Sequence, residues 1–219
     1  MIQLGARLLA ISAFVERGSI LADVGADHGK VLIYLAKRGI ISKGYGIENK
    51  TGPFGILSNN LKASGGISLT PIFESGIANL PEDVDTLILA GLGGDKIVSI
   101  LTEESQRLCH IETIIVDAHT ARDEVRRKIV ALGYLIADES LVEERGIYYS
   151  IIKFAKSPLQ MPYSNLEYAY GPSIIHSPLF KKYASMRLAK IDDLLKSPLP
   201  EDARKRLHSE KEMLNHYEN

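Results

Sequence analysis

Five short, mostly apolar runs alternate with helical patterns, and two longer extended runs then close the series. The short runs are Ser19–Gly25, Gly44–Glu48, Ile67–Phe73, Asp85–Ala90 and Thr113–Val116. Runs of Ile, Leu, Val and Ala without polar alternation are how strands buried on both faces of a parallel sheet read. Pro71 cannot donate to a ladder, so the third run belongs at a sheet edge. Between the runs, apolar residues recur at helical spacing over His28–Arg38, Phe54–Lys62, around Ile97, Ile100 and Leu101, and over Ala121–Leu132. Leu4, Leu8, Ile11 and Val15 predict an amphipathic opening helix that stops at Gly18. Tyr134–Val142 and Ile147–Phe154 flank Glu143-Glu144-Arg145-Gly146, the signature of a hairpin. Five βα steps followed by a hairpin predict an α/β architecture. The sheet is doubly wound, mostly parallel and seven-stranded.

The composition changes at Ser157. Residues 157–175 hold three prolines and no period, and read as a linker. Phe180, Ala184, Leu188, Ile191 and Leu195 then step by 4, 4, 3 and 4 residues. Pro198 and Pro200 break that helix, and Ala203, Leu207 and Leu214 mark another. This predicts a C-terminal antiparallel helical hairpin, and a division into residues 1–156 and 157–219. Residues 1–155 carry 16 basic and 19 acidic side chains, a net of −3; residues 156–219 carry 10 and 8, a net of +2. Charged residues are 24% and apolar residues 45% of the 219, which excludes a disordered chain. The single Cys109 excludes a disulfide framework and a Cys-rich metal centre, and His110, His176, His208 and His216 are too scattered for a metal site. No apolar run approaches the ~18 residues of a membrane span, and the N-terminus lacks the layout of a signal peptide. The expectation is a cytoplasmic protein with no metal and no membrane contact.

The first strand runs into Asp23-Val24-Gly25-Ala26-Asp27-His28-Gly29, a D-x-G-x-D-x-G turn that opens a helix. Glycines there let the backbone turn tightly beside a ligand, and ligands of open α/β sheets sit at the carboxyl ends of the strands. A pyrophosphate would be repelled by Asp23 and Asp27, whereas a cation would be attracted. S-adenosyl-L-methionine carries a sulfonium and an ammonium and suits such a turn. Glu48, 25 residues after Asp23 and followed by Asn49, ends the second strand, where an acid accepts ribose hydroxyls. Ser75 and Gly76 follow the third strand, on the adenine side. Ala90, Gly91, Gly93 and Gly94 leave an open floor after the fourth. The competing readings are a tight turn with solvated acids and, for the second glycine cluster, a left-handed turn with close helix packing. The terminal hairpin matches the layout of class I methyltransferases rather than that of plain dinucleotide-binding domains.

Taken together, these residues resemble the bacterial tRNA (adenine-22-N1)-methyltransferases of the TrmK type. The likeness covers nearly the whole chain. It includes Arg7-Leu8 in the opening helix, Leu21-Ala22-Asp23-Val24-Gly25-Ala26-Asp27-His28, and Glu48 followed by Gly52-Pro53-Phe54. It continues through Ala90-Gly91-Leu92-Gly93-Gly94, the acid-rich hairpin from Glu139 to Tyr149, and Tyr170-Gly171-Pro172. The chain departs from the family pattern in four places. Asp117-Ala118-His119 stands where the family carries Gln-Pro-Asn, Ser75 where it often has Asp, and Ala26 where it favours Ser. Gly29-Lys30 replaces a less flexible segment.

The resemblance implies a Rossmann-like fold binding S-adenosyl-L-methionine, and methyl transfer to N1 of adenine 22 in tRNA. Under that implication Asp27 stabilises the cation formed on the base and Asp23 holds the methionine end of the donor. Asp117 and His119 replace the family's acceptor contacts. Arg122, Arg126 and Arg127 on one helix, and Lys181 and Lys182 on the next, are candidates for tRNA phosphates, as are Arg187, Lys190, Arg204, Lys205 and Arg206. The chain is expected to be a monomer or weak homodimer, the latter through the tail stripe. A small-molecule methyltransferase and a non-catalytic RNA-binding protein with a degenerate methyltransferase fold are the alternatives.

Overall fold

The computed structural model describes residues 3–65, 68–159 and 161–218. In chain order its elements are α1 (Ala6–Ala13), β1 (Ile20–Val24), α2 (Lys30–Lys37), β2 (Lys43–Glu48), α3 (Thr51–Ala63), β3 (Ser68–Phe73), β4 (Thr86–Leu92) and α4 (Gly94–Glu103). They continue as β5 (Thr113–Ala118), α5 (Arg122–Ala131), β6 (Tyr134–Glu144), β7 (Ile147–Lys156), α6 (Asn165–Tyr170), α7 (Pro178–Leu195) and α8 (Glu201–Glu218). The seven strands form one sheet in the order β3-β2-β1-β4-β5-β7-β6. β1 to β5 pair in parallel, and β7 runs antiparallel to both β5 and β6. The doubly wound sheet is as expected, with β3 and its Pro71 at an edge. Ile67, the expected start of that strand, lies outside the described residues.

Side-chain alternation divides the core into two layers. Leu87 and Leu89 of β4 face α4 and α5, packing with Ile97, Ile100, Leu101, Val125 and Ile129. Ile88, between them, faces α1, α2 and α3, with Ile11, Leu32, Leu35, Leu57 and Leu61. The strands are apolar at consecutive positions because helices cover both faces.

The elements differ from the sequence pattern where turn chemistry governs. α2 starts at Lys30 rather than His28, because Gly29 adopts a left-handed φ of 68° at its N-cap. A Cβ at Gly29 would also press on Leu57 and Leu61 of α3. α3 starts at Thr51, which puts Pro53 in the first turn, where its missing N–H has no helical partner to lose. The hairpin turn is two residues long. Glu144 pairs with Ile147, and Arg145 and Gly146 both have positive φ, 55° and 78°, as a type I′ turn requires.

The segment 157–175, expected to be a linker, contains α6. Ser164 and Glu167 form a reciprocal capping box at its start. Tyr170, Ile174 and Ile175 are buried with Phe180, Ala184, Ile191 and Leu214 of α7 and α8. The tail helices run antiparallel. The Phe180 and Tyr217 ring centroids are 4.7 Å apart, and Arg187 holds Glu210 through two 2.7 Å hydrogen bonds. The apolar stripe of the tail is thus covered by its own chain. No described helix is long and apolar enough to cross a membrane.

Candidate active site

The parallel strands bring Asp23, Glu48, Ala90 and Asp117 to one edge of the sheet. Asp23 lies level with Gly46 and Ile88 on its two neighbours, and Ala90 level with Asp117. Beyond this edge lies a cavity of about 380 Å³. The glycine turn supplies Asp23, Gly25, Asp27 and His28 to its wall, β4 supplies Ala90 and Gly91, and Arg7 and His119 complete it. Asp23 is 6% exposed, and burial pushes its carboxyl up to about 7, partly offset by the nearby Arg7. Asp27 has a φ of 49°, a left-handed conformation that Asp tolerates better than most residues. Its exposed carboxylate lies 3.6 Å from His28 Nε2 at the cavity rim.

Arg7 belongs to the resemblance but has no role assigned there, although it is the only charged residue among the first 15. Three contacts fix it. Its amide donates to Glu144 Oε2 at 2.9 Å, its Nε pairs with Asp117 Oδ2, and its guanidinium lies 5.1 Å from the Tyr149 ring centroid. No Arg7 Nη atom has a hydrogen-bond partner among the described residues, and Nη2 lies over Gly91, where a side chain would displace it. Asp117 Oδ1 is buried with no partner. A buried carboxylate and a free guanidinium edge in one cavity fit a zwitterionic amino-acid end. Ammonium would go to Asp23 and carboxylate to Arg7.

Glu48 is 8% exposed, and its Oε1 accepts the amides of Asn49 and Lys50, both at 2.9 Å. Those bonds orient the carboxylate and leave Oε2 to accept ribose hydroxyls. Asn49 Nδ2 donates to Ser75 Oγ at 3.3 Å, and Gly76 next to it is buried with a φ of 107°. These four residues stand at the ends of β2 and β3, outside the lining of the 380 Å³ cavity. They would form the nucleoside side of a donor site.

Several candidates need correction. Arg126 is fully buried, so it does not reach a tRNA phosphate. It bonds Glu139 at 2.8 Å, Ser150 at 3.0 Å and the carbonyls of Tyr168, Ala169 and Tyr170. Gly94 does not face a ligand: its amide donates to Thr120 Oγ1, and a Cβ would meet the Thr120 carbonyl. It is a packing glycine that lets α4 approach the loop after β5. Gly93 is exposed at the α4 N-cap. Asp117 is fully buried and paired with Arg7, so its side chain is not open to an acceptor. Arg127 donates to Asn165 and stacks on Tyr168, and Lys182 pairs with Glu143. Lys181 is exposed.

A second, larger hollow of about 700 Å³ lies between the loop after β5, the hairpin and the tail helices. Arg122, Arg187, Lys190 and Arg206 line it with Tyr148, Tyr183 and Glu210. His119 lines both hollows, so they adjoin at that residue. Its ring centroid is 6.4 Å from that of Tyr149. Among the described residues no group of three or more His, Cys, Asp or Glu side chains is placed to hold a metal ion.

This strand order, with its reversed penultimate strand and acidic glycine turn at the carboxyl edge, defines a Rossmann-like methyltransferase. The chain belongs to the methyltransferase-domain family, whose model matches residues 4–152. The tRNA (adenine(22)-N(1))-methyltransferase of Bacillus subtilis (strain 168) is 23% identical over 172 residues, 78% of this chain and 72% of that relative. A Streptococcus pneumoniae protein solved in complex with S-adenosyl-L-methionine superposes with a TM-score of 0.89 at 28% identity, covering 98% of this chain and 99% of that one. TrmK of M. capricolum, solved with S-adenosyl-homocysteine, has the same fold, with a TM-score of 0.87 at 22% identity over 99% and 98% of the two chains.

Proposed function

We propose that this protein transfers the methyl group of S-adenosyl-L-methionine to N1 of adenine 22 in tRNA. The observation that carries the reading is the meeting of two hollows at His119. One is a cavity with the buried Asp23 and the free edge of Arg7 in its wall, suited to the donor; the other is an open cleft lined by Arg122, Lys190 and Arg206. The relatives named above support the same acceptor. S-adenosyl-L-methionine supplies a methyl carbon activated by its sulfonium. Asp23 and Arg7 hold its amino-acid end, and Glu48 with Asn49, Ser75 and Gly76 holds the nucleoside. Much of the rate then comes from alignment, for which effective molarities reach about 10⁵ M or more. N1 lies on the pairing edge of adenine, so the base must leave its stack at a cost of a few kcal/mol. Arriving through the cleft, it meets His119 at the cavity wall. Methylation leaves a positive charge on the base, and we assign its stabilisation to Asp27 at the rim. The protein acts in the cytoplasm as a monomer or weak homodimer.

The test is methyl transfer from labelled S-adenosyl-L-methionine to unmodified tRNA, beside the same tRNA with guanine at position 22. Incorporation that guanine abolishes supports both reaction and position. A folded, donor-binding protein that methylates neither tRNA would sink the proposal in favour of an RNA-binding protein without catalysis. Incorporation that guanine leaves intact would move the target elsewhere. Asp27→Asn keeps the left-handed turn, since Asn also tolerates it. It is expected to leave melting unchanged and, at saturating donor, to lower turnover about tenfold or more, a barrier change of ~1.4 kcal/mol. Unchanged turnover would remove Asp27 from the mechanism.

A further inference from the structure

Taking the tRNA methyltransferase reading as given, we infer that the outer face of α2 and α3 is a second RNA surface. It is a track for the sugar–phosphate backbone on the side of the donor cavity away from the cleft. From residue 28 to residue 65 the chain carries Lys30, Lys37, Arg38, Lys43, Lys50 and Lys62 against a single carboxylate, Glu48. Glu48 is buried, and neither α2 nor α3 contains an Asp or Glu. Of the six cations only Lys43 has an ion-pair partner among the described residues, Asp83. The Arg38 guanidinium lies over the Tyr34 ring, 4.4 Å from its centroid.

Lys30 and Lys37 are seven residues apart, two helical turns or about 10 Å, and so project from one face of α2. Both line a groove of about 310 Å³, with Gln3, Asn60 and Ser64 as neutral polar walls. Lys62 is exposed on the last turn of α3, beside the groove residues Ala63 and Ser64. His28 and Lys30 line the donor cavity as well, so the groove adjoins it. Unpaired lysines with amide and hydroxyl groups between them suit phosphate and sugar oxygens.

The tail differs, because acids are interleaved with its cations and five of its ten cations are ion-paired within the chain. Lys182 faces Glu143, Lys196 faces Asp193, Lys205 faces Glu201, Lys211 faces Asp192 and Arg187 faces Glu210. α2 and α3 cover one face of the sheet and α5 covers the other. A nucleotide flipped between them has backbone leading away on both sides. The cleft meets the cavity at His119 and the groove meets it at His28, which gives each side a binding surface.

The double variant Lys37→Glu/Lys62→Glu changes two exposed side chains that do not line the donor cavity. The measurement is binding of unmodified tRNA across a range of salt concentrations, with donor affinity and thermal melting measured alongside. The double variant is expected to weaken tRNA binding about tenfold or more. It should also flatten the slope of log K against log salt by roughly 1.4–1.8, the value for two lost phosphate contacts. Donor affinity and melting stay as in the wild type, and Lys37→Arg/Lys62→Arg binds tRNA normally. Unchanged tRNA affinity and slope in the double variant would overturn the inference. A wild-type protein whose tRNA binding depends on Lys37 and Lys62, but which methylates no tRNA, would overturn the proposed function and leave this surface standing. Methylation that charge reversal leaves intact, with binding unaltered, would do the reverse. Absence of tRNA binding by the wild type would overturn both.

Discussion

Asp23→Asn is expected to weaken S-adenosyl-L-methionine binding about a hundredfold. A hydrogen-bonded ionic contact to a buried carboxylate is lost, and such losses are worth roughly 2–3 kcal/mol or more. The wild-type protein should bind the donor in a pH-dependent way. Burial holds the free carboxyl near 7, so it is largely protonated at pH 6 and ionised at pH 8. An ammonium needs the carboxylate. Affinity should therefore fall as pH drops through 7, approaching about tenfold per unit below it, with one proton released on binding. Folding without donor has the opposite trend. The native carboxyl titrates near 7 and the unfolded one near its ordinary value of 3.8. Between those values the native state holds the extra proton, so this group's contribution to stability is fully present below pH 4 and is lost as pH rises through 7. The Asn variant lacks that titration. At pH 8 it should melt above the donor-free wild type, while binding donor far more weakly. Titration calorimetry from pH 5.5 to 8.5 and melting at pH 5 and 8 check both halves. Donor affinity in the wild type that does not vary with pH would remove Asp23 from the ammonium site.

The sheet was readable because each buried strand is a run that ends in a turn residue at the place where the ligand edge begins. Asp23-Val24-Gly25 and Glu48 combine a strand end with a candidate contact, so fold and site were visible in the same residues. What stayed hidden depended on tertiary partners. Arg126 carries the same charge as Arg122 and Arg127, and helical spacing does not reveal that Glu139, from the next strand, buries it. Gly93 and Gly94 are neighbours, yet only Gly94 meets the Thr120 backbone. Arg7 belongs to the site through Glu144, Asp117 and Tyr149, all more than 100 residues away in sequence. The 164–167 capping box was a local signal masked by flanking prolines. In the tail, composition registered the charges but not their partners, which lie one turn away, one helix away or, for Lys182, on the hairpin.

Arg126→Ala is expected to cost about 3–5 kcal/mol of stability, the usual effect of removing one member of a buried ion pair. Both partners are fully buried at the side chain. Burial opposes the charge on each, pushing Glu139 up and Arg126 down, while their mutual attraction works against that. Removing the guanidinium leaves Glu139 without its counter-charge, holding only backbone amides such as that of Ser173. It also orphans Ser150 Oγ and the carbonyls of residues 168–170. Those carbonyls belong to the segment that joins the sheet to the tail, so the damage should concentrate there. A chain of this size loses about 2–4 °C of melting temperature per kcal/mol, which makes the expected drop roughly 10 °C. Hydrogen exchange should show lost protection in residues 165–176 before the strands of the sheet are affected. Arg127→Ala, one residue on, removes only an exposed contact to Asn165 and a stack on Tyr168, and should cost about 1 kcal/mol or less. An Arg126→Ala protein that melts with the Arg127→Ala protein would show that the pair does not anchor the tail. With the anchor gone but the glycine turn intact, donor binding should persist while tRNA methylation falls. The buried arginine would then be felt at the cleft, because it sets the position of the tail's inner wall.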